Sequence, residues 1–161
     1  AESPPEPGEF RAFGDALAWI RLPIPGPLHH INVWLLATEQ GWLLVDTGMA
    51  IPVVEDAWRR LELGLPALAS LERILVTHHH PDHFGMAARL ADARGLEVRM
   101  SVPAAAAARP DPAGPESYAR RIAAFADHVG LELAPEFGEF LSGSRYRTVI
   151  SGLPRLGAPL E

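Results

Sequence analysis

The sequence predicts an α/β (α+β) chain, a mixed sheet with helices on one face. Three observations carry that expectation. Two apolar runs, "INVWLLA" and "GWLLVD", are joined by the polar "TEQG" in the pattern of a hairpin. Strand and helix patterns then alternate, which calls for a sheet with covering helices. The 161 residues are 48% hydrophobic and 21% charged, ordinary proportions for one domain able to bury a core.

In chain order, residues 1–9 are rich in Pro and Glu and are expected to form a disordered N-terminal arm. Residues 16–24, "ALAWIRLPI", read as a strand, and "PIPGP" as a rigid exposed loop. The hairpin follows. Residues 51–63 place Val54, Ala57, Trp58 and Leu61 on one helical stripe, with Gly64 positioned to end it. "RILVT" is a short buried strand. Residues 82–94 return to a helical period through Ala87, Leu90 and Ala91 and stop at Gly95. "EVRMSV" alternates, with Val98, Met100 and Val102 on one strand face.

Beyond Pro103 a short alanine helix gives way to a Pro-rich loop. Pro115 can open a helix whose stripe is Tyr118, Ile122, Phe125 and Val129, ending at Gly130. Residues 132–141 suggest another short helix, and the last twenty residues are irregular with one strand. There is no internal repeat.

Composition excludes several chemistries. The net charge of −6 offers nothing general to a nucleic acid backbone. All 14 basic residues are arginine, which removes Schiff-base and P-loop lysines from this chain. With no cysteine there is no disulfide, thiolate nucleophile or Cys-based zinc site. No apolar run reaches the ~20 residues of a membrane span, and "AESPPEPGEF" lacks the apolar core of a signal peptide. A cytoplasmic location is the default expectation.

The stretch "THHHPDHFG" places four of the seven histidines within six positions, directly after a buried strand. Zinc and similar ions take neutral imidazoles and carboxylates converging within ~2 Å of the metal. Alternate residues at a strand end put His78 and His80 on the same side. Pro81 suits the first position of a helix, where its missing N–H costs nothing, and that turn carries Asp82 and His83. The result is two ligand pairs, His78 with His80 and Asp82 with His83, which suggests two adjacent metals. His79 faces away in this scheme. The bland alternatives explain less: a purification tag sits at a terminus, and helix capping accounts for Asp82 alone.

"HHHPDH" resembles the H-x-H-x-D-H signature of the metallo-β-lactamase superfamily, in its glyoxalase-II-like hydrolase branch. The similarity runs upstream through "HINVWLLATEQGWLLVDTG" and downstream through "FGMAARLADARGLEVRMS". It implies an αββα sandwich, of which residues 10–161 would be the first sheet-plus-helices half and a helical insertion, truncated before the second half. It also implies that His78 and His80 bind one metal, Asp82 and His83 a second, and that Asp46 of the Asp-Thr-Gly turn orients the ligands. Without the resemblance, an Asx-turn before Gly48 explains Asp46 equally well. A third histidine, a bridging carboxylate and a final histidine would be needed from elsewhere. His128 alone follows the cluster, in no matching motif.

The implied activity is metal-dependent hydrolysis, with a metal-bound hydroxide attacking an ester, thioester, lactone or lactam carbonyl of a small-molecule substrate. Asp82 would accept the water's proton. Zinc in two sites is expected, with iron or manganese as alternatives. An iron-dependent sulfur dioxygenase, or a catalytically incomplete metal-binding fragment, are the competing readings, and the chain alone is expected to be inactive. Substrate choice would lie in residues 23–30 and 110–115, although His29 and His30 read first as surface connections. Val33, Trp34, Leu35, Leu36, Trp42, Leu43 and Leu44 lie on strands apolar on both faces. A bare face of that kind predicts a homodimer, unless residues 103–161 fold back over it through Tyr118, Ile122 and Phe125.

Overall fold

The computed structural model describes residues 3–109, 115–132, 149–158 and 160. Six strands form one sheet in chain order: β1 (Phe10–Phe13), β2 (Leu17–Pro23), β3 (His30–Ala37), β4 (Trp42–Val45), β5 (Leu71–Leu75) and β6 (Val98–Arg99). β1 to β4 pair antiparallel, and β4–β5–β6 pair parallel. The change follows from the connections. Short turns reverse the chain, whereas parallel neighbours need a crossover, and here helices supply it.

The turn between β3 and β4 is closed by Thr38, whose Oγ1 accepts the amides of Gln40 and Gly41 at 3.2 and 3.1 Å. α1 (Pro52–Gly64) carries the strand order across from β4 to β5, with Pro at its start as expected for a position that needs no N–H. Its stripe of Val54, Ala57, Trp58 and Leu61 is buried against Ala18, Ile20, Leu22, Val33, Leu35, Leu44 and Ile74, which alternate along their strands. The helices thus cover the sheet face made by these alternate positions. A short 3-10 turn, Pro66–Ser70, leads into β5 and was not legible in the sequence.

The helix expected over residues 82–94 is two short helices, α2 (Pro81–Phe84) and α3 (Ala87–Asp92). The break has a local cause. Met86 N–H, which a continuous helix would spend on residue 82, donates instead to Gly48 O at 2.9 Å. Gly85 sits where a Cβ would meet Pro81 O at 2.5 Å and Ala50 N at 2.8 Å.

Val102 does not extend the strand face of Val98 and Met100. It starts α4 (Val102–Ala108) and is exposed, because Ser101 Oγ accepts Ala104 N–H and caps a helix there. The chain end adds strand-like pairing to β6: Val98 bridges Leu156 and Ser101 bridges Leu160, both parallel.

The arm expected to be disordered is docked over residues 3–9. Gly8 N–H donates to Arg21 O at 2.6 Å, and the Arg21 guanidinium donates to Pro5 O at 2.7 Å. Pro5 and Gly8 are buried. Composition signalled too few apolar groups for order, but hydrogen bonds to the arm's backbone and the burial of Pro5 hold it.

α5 (Pro115–His128) forms as expected, yet Phe125 is 61% exposed and Val129 53%, while Ala126 is buried. The side chains of Tyr118 and Ile122 lie outside the described residues, as does the backbone of residues 133–141, where most of a further helix was expected. No helix among the described residues is long and apolar enough to cross a membrane.

Candidate metal centre

The site is built where β4 and β5 end. β4 runs into Asp46, Thr47 and Gly48, and β5 into Val76, Thr77 and the histidines. Asp46 N–H donates to Leu75 O at 2.8 Å, so the two strand ends remain paired as both chains turn. Asp46 then adopts φ +65° and Gly48 φ +83°. Aspartate tolerates this left-handed region better than most residues, and glycine carries no penalty there.

This turn grips the histidine segment. Thr47 donates twice to His83 O, from its N–H and its Oγ1, both at 2.8 Å. Trp58 Nε1 of α1 in turn donates to Thr47 O at 2.9 Å, inside the core. The first turn of α2 is therefore fixed to the sheet end by Thr47, which Trp58 of α1 holds from behind.

Asp46 is buried and accepts on both carboxylate oxygens. Oδ1 takes Thr77 N–H at 2.9 Å, and Oδ2 takes His83 Nδ1 at 2.7 Å. Thr77 Oγ1 lies 3.0 and 2.9 Å from the two oxygens and 3.0 Å from His78 Nδ1. His83 Nε2 faces Asp82 Oδ2 at 3.4 Å.

The imidazoles converge. The His78 ring centroid is 4.6 Å from that of His80 and 4.2 Å from that of His83. His78 thus joins the two pairs that the spacing suggested into one cluster. His79 stands edge-on to His80 at 5.0 Å, on the margin of the group. His80 is exposed, at the N-cap of α2. His128 is exposed at the end of α5. His29 is exposed in the loop between β2 and β3 with φ +59°, and His30 at the start of β3 has its Nδ1 2.7 Å from the Arg21 guanidinium.

Electrostatics divide the cluster. For His83, burial disfavours the charged form, but the hydrogen bonds it donates to Asp46 and Asp82 outweigh it and raise the pKa to about 9. His78 is pushed below the ordinary imidazole value by burial, and further by its neighbours His83 and His80. His79 is lowered by burial and then by His80 and His78. Asp82 is held below the usual carboxylate range chiefly by its pairing with His83.

The donor chemistry is of the kind that suits a metal: three imidazoles and a carboxylate, with His83 Nδ1 engaged by Asp46 and His78 Nδ1 by Thr77. Among the described residues, no group of three or more His, Asp or Glu side chains stands in metal-holding geometry. His78, His80 and His83 converge without closing such a group. Thr77, Thr47 and Trp58 were missed by sequence reasoning. A β-branched hydroxyl residue at the strand end, immediately before the first histidine, was the one available sign of Thr77.

A six-stranded mixed sheet with its helices on one face, ending in this turn and histidine cluster, defines a known class. The chain matches the metallo-beta-lactamase superfamily over residues 26–154 and belongs to it. More particularly, 76 residues are 46% identical to a hydroxyacylglutathione hydrolase of Albidiferax ferrireducens, covering 47% of this chain and 27% of that protein.

Among solved structures, a metallo-beta-lactamase family protein from Thermus thermophilus aligns with TM-score 0.63 and 28% identity, over 91% of this chain and 46% of that one. A beta-lactamase domain protein from Burkholderia ambifaria aligns with TM-score 0.57 and 29% identity, over 67% and 36%. The chain spans less than half the length of each of these relatives.

Proposed function

We propose that the intact protein is a metal-dependent hydrolase acting on a carbonyl substrate, with a thioester as the favoured class and esters, lactones and lactams as the alternatives. The observation that carries the reading is the convergence of His78, His80 and His83 at the strand end, with Asp46 behind His83. The similarity to a hydroxyacylglutathione hydrolase favours the thioester.

In this reading His78 and His80 hold one metal and Asp82 and His83 a second, zinc by preference and iron or manganese otherwise. Held there, a metal would supply Lewis-acid polarisation of the carbonyl and acidify a water from a pKa of 15.7 towards ~7. The chain's own residues do the rest. Asp46 keeps His83 oriented through Nδ1, and Thr47 fixes the backbone from which Asp82 and His83 project. Asp82, already held in its ionised form, can accept a proton at Oδ2 once its pairing with His83 is released. The absence of cysteine suits direct hydrolysis without a covalent enzyme intermediate.

The test is elemental analysis of the full-length protein together with turnover of a glutathione thioester, an ester, a lactone and a β-lactam. Stoichiometric metal with thioester cleavage is expected, and His80→Ala should remove activity while the far-UV circular dichroism is retained. A metal-replete protein that cleaves none of the four would overturn the reading.

A further inference from the structure

The proton inventory around Asp46 does not close with Asp46 and His83 alone. A carboxylate can only accept, and a threonine hydroxyl has a single proton. Thr77 Oγ1 nevertheless sits within hydrogen-bond distance of three heavy atoms: both oxygens of Asp46, at 3.0 and 2.9 Å, and His78 Nδ1, at 3.0 Å. If the hydroxyl gave its proton to His78, its oxygen lone pairs would face both oxygens of the buried Asp46 carboxylate with no hydrogen between them. If it gives its proton to Asp46, that bond is charge-assisted, and Oγ1 is left to accept from His78 Nδ1–H. Only the second arrangement satisfies every contact.

We propose that Thr77 is a positioning residue that relays the buried Asp46 carboxylate to His78, so that one carboxylate sets the orientation of His83 directly and the tautomer of His78 through the hydroxyl. His78 is thereby held as the Nδ1–H form with Nε2 unprotonated. The relay crosses between the two ligand pairs: Asp46 touches His83 of one pair, and through Thr77 it reaches His78 of the other. Thr77 is anchored for this role by its own N–H, which donates to Asp46 Oδ1 at 2.9 Å, so the side chain and backbone of one residue bind the same carboxylate. The inference rests on reading His78 as a metal donor for its consequence, but not for its geometry.

Imidazole 15N NMR on the metal-free chain, at a pH where His78 is neutral, reads the tautomer directly. The wild type should show His78 protonated at Nδ1. Thr77→Val, which keeps the shape and removes the hydroxyl, should move His78 to the Nε2–H form and leave the hydrogen-bonded Nδ1–H proton of His83 in place. Thr77→Ser should restore the wild-type pattern. Cobalt(II) titration of the same proteins should show affinity lower by about 10–100-fold for Thr77→Val and recovered in Thr77→Ser.

A wild-type His78 protonated at Nε2 would overturn the relay outright, whatever the variants do. So would a Thr77→Val protein in which His78 keeps Nδ1–H, or one in which the His83 proton is lost as well, since that marks general loosening. The tautomer measurement needs no metal, so its failure leaves the hydrolase reading standing, and failure of the substrate panel leaves the relay standing.

Discussion

His83 sits between two carboxylates. Its Nδ1 is 2.7 Å from Asp46 Oδ2 and its Nε2 is 3.4 Å from Asp82 Oδ2. Burial works against the imidazolium, yet the two acidic partners prevail and the pKa rises from 6.5 to about 9. A group whose pKa is higher folded than unfolded stabilises the fold fully below the unfolded value and loses that contribution as pH rises through the folded one. The metal-free chain should therefore lose stability between about pH 6.5 and 9. An NMR titration of the His83 ring should give a midpoint near 9, and Asp46→Asn should bring it down. A midpoint at or below 6.5 in the wild type would contradict the geometry. The same substitution turns one of the two acceptor oxygens into an NH2 donor, so either Thr77 N–H or His83 Nδ1–H loses its acceptor and a loss on the order of 1–3 kcal/mol should accompany the shift.

At the scale of elements, the turn after β4 decides how the helices run. Gly48 O takes Met86 N–H and so ends α2 and starts α3 as separate pieces. Gly48 has two reasons to be glycine. Its φ is +83°, and a Cβ would stand 2.8 Å from Leu22 Cδ1 and 2.9 Å from Val54 Cγ1, both in the core. Gly26 provides a control, with φ +95° and nothing within 4 Å. Gly26→Ala should cost about 1 kcal/mol from backbone strain alone, and Gly48→Ala distinctly more because α1 and β2 must part. Urea unfolding of the two variants measures the difference, and equal losses would mean that packing at the turn is slack. The Asp-Thr-Gly tripeptide was visible in the sequence as a turn. Its grip on a segment more than thirty residues later was not, because no local pattern encodes a partner that distant.

At the scale of the whole molecule, the sheet has two faces with different fates. Val33, Leu35 and Leu44 point into the helical layer and are fully buried. On the opposite face a row runs across every strand: Arg11, Trp19, Trp34, Val45, Leu75 and Arg99 are register partners. Trp19 and Trp34 stack at 5.9 Å, and beside them Leu36 is 37% exposed and Phe13 47%. Phe125, expected as a cover, is itself exposed. We predict that the 161-residue chain self-associates through this half-buried face as a two-fold homodimer, since a soluble monomer seldom leaves an apolar patch of this kind partly uncovered. Sedimentation velocity at micromolar concentration should give a dimer that Trp34→Glu dissociates, and a clean monomer of the wild type would reject it.

What the sequence determined by itself is what neighbours along the chain can carry. Alternation marked β2 and β3, helical spacing marked the stripe on α1, and the six positions of "HHHPDH" placed donors on a strand end and a first helical turn. The resemblance then pointed to Asp46. What only the tertiary structure decided is everything that depends on a partner far away in the chain. The bond from Asp46 to Thr77 spans 31 positions, and the bond from His83 to Asp46 spans 37. The same holds for the docking of residues 3–9 on Arg21 and the diversion of Met86 N–H to Gly48. Each of these rests on one or a few directional hydrogen bonds, which leave no period in the sequence. Apolar burial repeats along a strand or helix and can be read there, whereas a hydrogen bond that orients one imidazole exists only once the sheet has brought its two ends together.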